Sequence, residues 1–95
     1  MIYVRHLSWD AWNVAHIARH AVVPEEVEQV CHGEFIVRPT YGGRLLIIGS
    51  TSEGRILAAV LDAEAGEGIY YVVTARPADR KERAIYRQEM GGEKS

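Results

Sequence analysis

Residues 44–75 read RLLIIGSTSEGRILAAVLDAEAGEGIYYVVTA, and this stretch decides the fold. Three strand-like runs, Arg44 to Ser50, Arg55 to Asp62 and Ile69 to Ala75, are separated by a turn at Gly54 and a second at Gly66-Glu67-Gly68. Successive hairpins of this kind make an antiparallel meander. Leu45 to Ile48 and Ile56 to Leu61 are apolar on both faces of the pleat, which predicts that these two strands are central.

Working outward, Phe35 to Val37 adds a further strand, which Pro39 and the Tyr41-Gly42-Gly43 turn keep short or at an edge. Upstream, Ile2 to Leu7 alternates as a short first strand, and Ser8 or Asp10 caps a helix running to about His20. Pro24 suits the first position of a second helix ending near His32-Gly33, with Val23, Val27, Val30 and Cys31 on its inward face. Downstream, Asp79 caps a last helix that continues to about Met90, and residues 91–95 read as a flexible tail. The order β-α-α-β-β-β-β-α predicts an α+β domain over residues 1–90, an antiparallel meander sheet with two N-terminal helices and one C-terminal helix.

A chain of 95 residues, 47% of them apolar and 25% charged, suits one soluble globular domain. Its lone cysteine, Cys31, excludes an internal disulfide framework and a four-cysteine zinc site. No apolar run approaches the roughly 20 residues of a membrane span, and Arg5, His6 and Asp10 interrupt any signal sequence, so a cytoplasmic location is expected. The net charge of −2 argues against a general nucleic-acid coat protein. Its distribution is uneven: Arg76, Arg80, Lys81, Arg83 and Arg87 against Asp79 and Glu82 give residues 76–87 a local +3 and leave −5 elsewhere.

Chemistry gathers on two helices. At about 100° per residue, Val14, Ile17, Ala18 and Ala21 share one face of the first helix, and Trp12, Asn13, His16, Arg19 and His20 share the other. That second face is either a packed and solvated surface or a ligand face, since imidazole exchanges protons near neutrality, arginine holds phosphate and tryptophan stacks on a base. His16 and His20 have the i, i+4 spacing of zinc ligands, but Ile17 stands where a zinc-protease signature needs glutamate and no third ligand is evident, so no metal or cofactor is expected.

On the last helix, Arg80, Arg83 and Arg87 form a stripe opposite Ala78 and Ile85, suited either to solvent or to phosphate. Asp79 and Glu82 have capping-box spacing. Arg76, held extended before Pro77 at a strand end, suits either an acidic partner or a phosphate. Phosphate-loop and nucleophile-elbow patterns are missing, which leaves nucleotide and serine hydrolases without support.

Two segments together resemble the BrnT family of type II toxins, within the RelE-like ribonuclease superfamily. The first is Ser8-Trp9-Asp10-Ala11-Trp12-Asn13 with His16 to Val22 and Pro24-Glu25-Glu26-Val27, and the second is Val73 to Tyr86 with its Ala75-Arg76 and Glu82-Arg83-Ala84-Ile85-Tyr86. Ile48-Gly49 and Gly54-Arg55-Ile56-Leu57 match the hairpin between them. The chain departs from the family at Ala21, where glycine is expected, at Pro77, where a basic residue is, and at Asp79, where threonine is.

The resemblance implies a RelE-like fold, metal-independent cleavage of RNA, growth arrest, and neutralisation by a cognate antitoxin in a two-plus-two assembly, with neither DNA nor membrane binding by this chain. The expected mechanism is attack of the RNA 2′-hydroxyl on the adjacent phosphate, with Arg76, which matches the family's terminal-strand arginine, and then Arg80 and Arg83 stabilising charge, and with His20, then His16, transferring the proton because imidazole is both acid and base near pH 7. Arg83, Arg87, Trp12 and Arg55 are the expected RNA contacts. A non-catalytic RelE-like binding or regulatory domain is the alternative.

Overall fold

The computed structural model describes residues 2–91 and follows the predicted order of elements. Strand β1 covers His6–Ser8, helices α1 and α2 cover Ala11–Ala18 and Pro24–Cys31, and strands β2 to β5 cover Phe35–Pro39, Leu45–Ser50, Ile56–Ala63 and Ile69–Pro77. A 3-10 turn, Tyr41–Gly43, joins β2 to β3, and helix α3, Arg80–Gly91, follows β5. Of the expected tail, Gly91 belongs to α3 and residues 92–95 lie outside the described residues. Among the described residues no helix is long and apolar enough to cross a membrane.

Strands β2 to β5 form the antiparallel meander, and β1 joins its edge parallel to β5, so the sheet is mixed with the order β1-β5-β4-β3-β2. The two helices between β1 and β2 carry the chain from one edge of the sheet to the other, which leaves β1 beside β5. The first strand is shorter than expected. The Arg5 and His6 N–H groups both donate to the Gly68 carbonyl, at 2.8 and 3.1 Å, so the turn before β5 fixes where pairing begins.

The doubly apolar central strands have helices on both sides. Ile47, Leu57, Ala59, Leu61, Val72 and Ala75 pack with Ile17 of α1 and with Val27, Val30 and Cys31 of α2. Ile36, Ile48 and Ala58 point the other way, against Ile85, Tyr86 and Met90 of α3. Ile17, Ile47 and Leu61 are fully enclosed, and burial of each side chain contributes about 1.5–3 kcal/mol. Burial also pushes the Cys31 thiol up to about 12, which keeps it a neutral core group rather than a nucleophile or ligand.

Helix α1 corrects the expected face. Of Val14, Ile17, Ala18 and Ala21 only Ile17 is buried, and its companion one turn earlier is Asn13, which is fully enclosed. The amide is tolerated there because every bond is made. Asn13 Nδ2 donates to the Ser8 and Val72 carbonyls, both at 3.0 Å, and Oδ1 accepts from the Asp10 N–H at 2.8 Å. The Asp10 carboxylate accepts from the Asn13 N–H at 2.9 Å, completing a capping box. Val72 sits beside a β-bulge, since Leu61 pairs with Val72 but Val60 pairs with Thr74, which makes Val73 the extra residue.

The helix stops at Ala18 instead of near His20 because it exits through a Schellman-type turn. The Val22 N–H donates to the Ile17 carbonyl and the Ala21 N–H to that of Ala18, with Ala21 at φ 60°. Val22 is buried after the turn, whereas Val23, expected inward, is the extended N-cap of α2 and lies about half in solvent.

Replacing Asn13 with alanine removes the side-chain partner of the Ser8 and Val72 carbonyls and of the Asp10 N–H, leaves the Asp10 cap on the residue-13 N–H in place, and should cost about 2–4 kcal/mol, read from urea denaturation. Ala21→Gly should act oppositely. Relief of the left-handed backbone, about 1–2 kcal/mol, exceeds the roughly 0.5–1 kcal/mol that glycine's extra unfolded-state freedom takes back, so its midpoint should rise.

Candidate nucleic-acid interface

Pro77 turns the chain out of the sheet, and the first turn of α3 must then satisfy its own N–H groups. Asp79 Oδ1 accepts from the Glu82 N–H at 2.8 Å and Glu82 Oε1 accepts from the Asp79 N–H at 2.9 Å, the capping box expected from the spacing. The same Glu82 carboxylate receives both arms of Arg76, Nη1 to Oε1 at 2.7 Å and Nη2 to Oε2 at 2.9 Å. Of the two readings of Arg76, pairing with an acid is the one realised, and the acid is the helix cap itself. The Arg76 fork holds the Glu82 carboxyl below the usual carboxylate range despite burial, and Glu82 in turn holds the guanidinium charged.

The remaining cations of this segment lie further along α3. Arg83 is half-buried and donates to the Ala78 carbonyl at 2.7 Å. Arg80, Lys81 and Arg87 are exposed and join no ion pair among the described residues. Arg38 of β2 pairs with Glu89 near the end of the helix. This surface therefore presents guanidinium and ammonium groups around one internally balanced pair.

Helix α1 carries a different chemistry. Trp12 is 61% exposed and stacks on His16 with centroids 4.9 Å apart and planes 7° from parallel. His16 meets His20 edge to face at 5.9 Å. Ala11, Trp12, Ala15, His16 and Arg19 line an open depression on this face.

The sheet separates the two sets. Arg76 pairs across the strands with Ala58, which belongs to the layer under α3, whereas α1 packs on the opposite layer through Ile17. Arg76, Arg80, Arg83 and Arg87 thus share one side of the molecule, and Trp12, His16 and His20 stand on the other. Arg55 belongs with the second set: its Nη1 donates to the Ala21 carbonyl at 2.8 Å and to both Glu26 oxygens at 2.9 Å. Burial raises the Glu26 carboxyl, but the bonds from Arg55 and from the Val23 N–H outweigh it and hold the group below its ordinary value.

Three working residues escaped the sequence reading. Asn13 was placed on the polar face, although Asp10 and Asn13 have the same capping spacing that identifies Asp79 and Glu82. Glu26 anchors Arg55, and Glu28 accepts the Trp9 indole N–H at 2.8 Å. Neither pairing has a local signal, because each joins residues distant in the chain. No three His, Cys, Asp or Glu side chains converge as metal ligands among the described residues. A cleft of about 720 Å³ lies elsewhere, bounded by Ile2, Cys31, Phe35 and Met90, and is lined by none of the predicted site residues.

The chain matches no protein-family model, no curated protein and no solved structure. The motif residues behind the BrnT resemblance mostly hold structure here: Trp9 binds Glu28, Asp10 and Asn13 cap α1, and Arg76 and Asp79 bind Glu82.

Because Glu82 titrates lower in the folded chain than in the unfolded one, its stabilisation is complete above the ordinary value of 4.5 and is lost as pH falls through the lowered value. Arg76 is more than a third exposed, so screening keeps the pair below the cost of a buried one. Glu82→Gln should lose about 1–2 kcal/mol at pH 7 and show a flatter decline in stability under acid, measured by denaturation between pH 7 and 3.

Proposed function

We propose that this chain is the toxin of a type II toxin–antitoxin pair, a metal-independent endoribonuclease that cuts cytoplasmic RNA and arrests growth until its antitoxin binds. The observation that carries the reading is the cationic helix: a chain of net charge −2 gathers Arg80, Lys81, Arg83 and Arg87 on α3 beside Arg76. The phosphates of single-stranded RNA are a matching ligand, because guanidinium binds phosphate through two hydrogen bonds and each neutralised phosphate releases counterions.

In this proposal Arg80, Arg83 and Arg87 bind successive phosphates while the 2′-hydroxyl attacks the neighbouring phosphorus and expels the 5′-oxygen, leaving a 2′,3′-cyclic phosphate. Fixed positive charge stabilises the developing phosphorane, and Arg76, locked by Glu82, supplies a rigid donor at the foot of the helix. His16 and His20, on the opposite side of the sheet, stay outside this centre, so water takes the 2′-hydroxyl proton and returns one to the leaving 5′-oxygen. An antitoxin with an acidic or amphipathic segment covers α3, and its own dimerisation gives the two-plus-two assembly.

One observation favours the second reading, a non-catalytic binding domain: Glu82 already balances the charge of Arg76, and no imidazole among the described residues bonds to either. Cleavage of single-stranded RNA at neutral pH with chelator present separates the two. The toxin reading expects cyclic phosphate ends, undiminished cleavage in His20→Ala, and a copurifying complex on co-expression with the adjacent reading frame. Arg80→Ala and Arg87→Ala should each weaken RNA binding and lower the slope of log affinity against log salt by about 0.7. RNA bound but left intact would select the binding domain, and no binding at all would overturn both.

A further inference from the structure

We propose that His16 and His20 form a two-imidazole chelate for a late first-row divalent ion, Cu²⁺, Ni²⁺ or Zn²⁺, on the outer face of α1. Two imidazoles that share an ion at about 2.0–2.1 Å from each ligating nitrogen, at a roughly tetrahedral angle, place their ring centroids about 5 Å apart. The centroids of His16 and His20 are 5.9 Å apart, within about 1 Å of that spacing, and His20 is the ring that must approach, since His16 is stacked on Trp12.

The nitrogens are also free. Neither ring makes a hydrogen bond among the described residues, whereas Nδ1 of His32 lies 2.9 Å from the Glu28 carbonyl. His20 is exposed and His16 is half-exposed, which gives an ion direct access. Trp12, stacked on His16, fixes the plane of that ring and so sets one ligand in advance.

The structure also limits the class of site. No third His, Cys, Asp or Glu joins the pair among the described residues, so water fills the remaining positions, and Arg19, the C-cap of α1 at the same depression, adds opposing charge. This describes an exchangeable ion that prefers imidazole, weaker than a four-ligand structural zinc, and it excludes Mg²⁺ and Ca²⁺, which require oxygen ligands. The chelate joins His16, in the last turn of α1, to His20, in the turn that follows the helix and directly before Ala21 in its left-handed conformation, and so fastens the helix exit. It lies across the sheet from α3 and does not depend on the RNA reading.

Titration calorimetry of the full chain with CuCl₂, NiCl₂, ZnCl₂ and MgCl₂ tests the site in the absence of RNA. The expected result is one ion per chain, tightest for Cu²⁺ and undetectable for Mg²⁺. His16→Ala and His20→Ala should each weaken binding by about tenfold or more, and His32→Ala should leave it unchanged. Cu²⁺ should quench tryptophan emission, and Trp12→Phe, which retains Trp9, should remove most of that quenching. Saturating Zn²⁺ should raise the melting temperature of the parent chain but not of His20→Ala. Uptake unchanged in both single histidine variants, uptake abolished by His32→Ala, or no uptake at millimolar ion would overturn the proposal.

Discussion

One enclosed amide holds the edge of this sheet together. Asn13 stands where the last residue of β1, the bulged region of β5 and the first turn of α1 converge, and it bonds to all three. An amide sealed from water is costly unless each of its polar atoms finds a partner, so the contact fixes geometry as well as contributing energy. With Asn13 turned inward, α1 has little freedom of rotation. Trp12, Val14 and Ala15 are thereby carried to the outside, although a helical projection places Val14 in the core.

The other end of β5 is joined by a charged version of the same device. Glu82 caps α3 through its bond to Asp79 and grips Arg76 with both oxygens, so strand end, turn and helix start meet at one carboxylate. Placing an anion at the positive end of a helix is itself favourable. The arrangement separates the arginines by what already holds them: Arg76 is gripped by Glu82, Arg83 donates to the preceding carbonyl of Ala78, and Arg80 and Arg87 face the solvent. A segment that reads in sequence as one run of positive charge is divided by the structure into internal and external parts.

The meander was legible because its information is local. Glycine turns, short connections and doubly apolar runs fixed four strands and their neighbours, and proline and acid placed the start of α2. The parallel β1–β5 pair was not legible, because no feature of Ile2 to Leu7 says which distant strand it will meet. The α1 face failed for a related reason. Periodicity ranks residues by polarity, and a fully bonded asparagine outcompeted Val14 and Ala18 for the buried position through partners at Ser8 and Val72. The candidate site was read as one constellation because Arg76 and His20 are both polar residues in matched motifs. Strand register decides otherwise, since a side chain's face depends on counting through the sheet, and Arg76 falls on the side of Ala58.

The parallel edge also sets an order of assembly. The β3–β4 and β4–β5 hairpins join residues close in sequence and close quickly, whereas His6–Ser8 must wait for Ile69–Tyr71. During synthesis β1 emerges before β5, so the nascent chain carries β1 and the Asn13 amide without their β5 partners until Ile69 to Val72 have been made. The bond that sets the rotation of α1 against the sheet, from Asn13 to the Val72 carbonyl, therefore waits for β5 even though the helix and its cap are local.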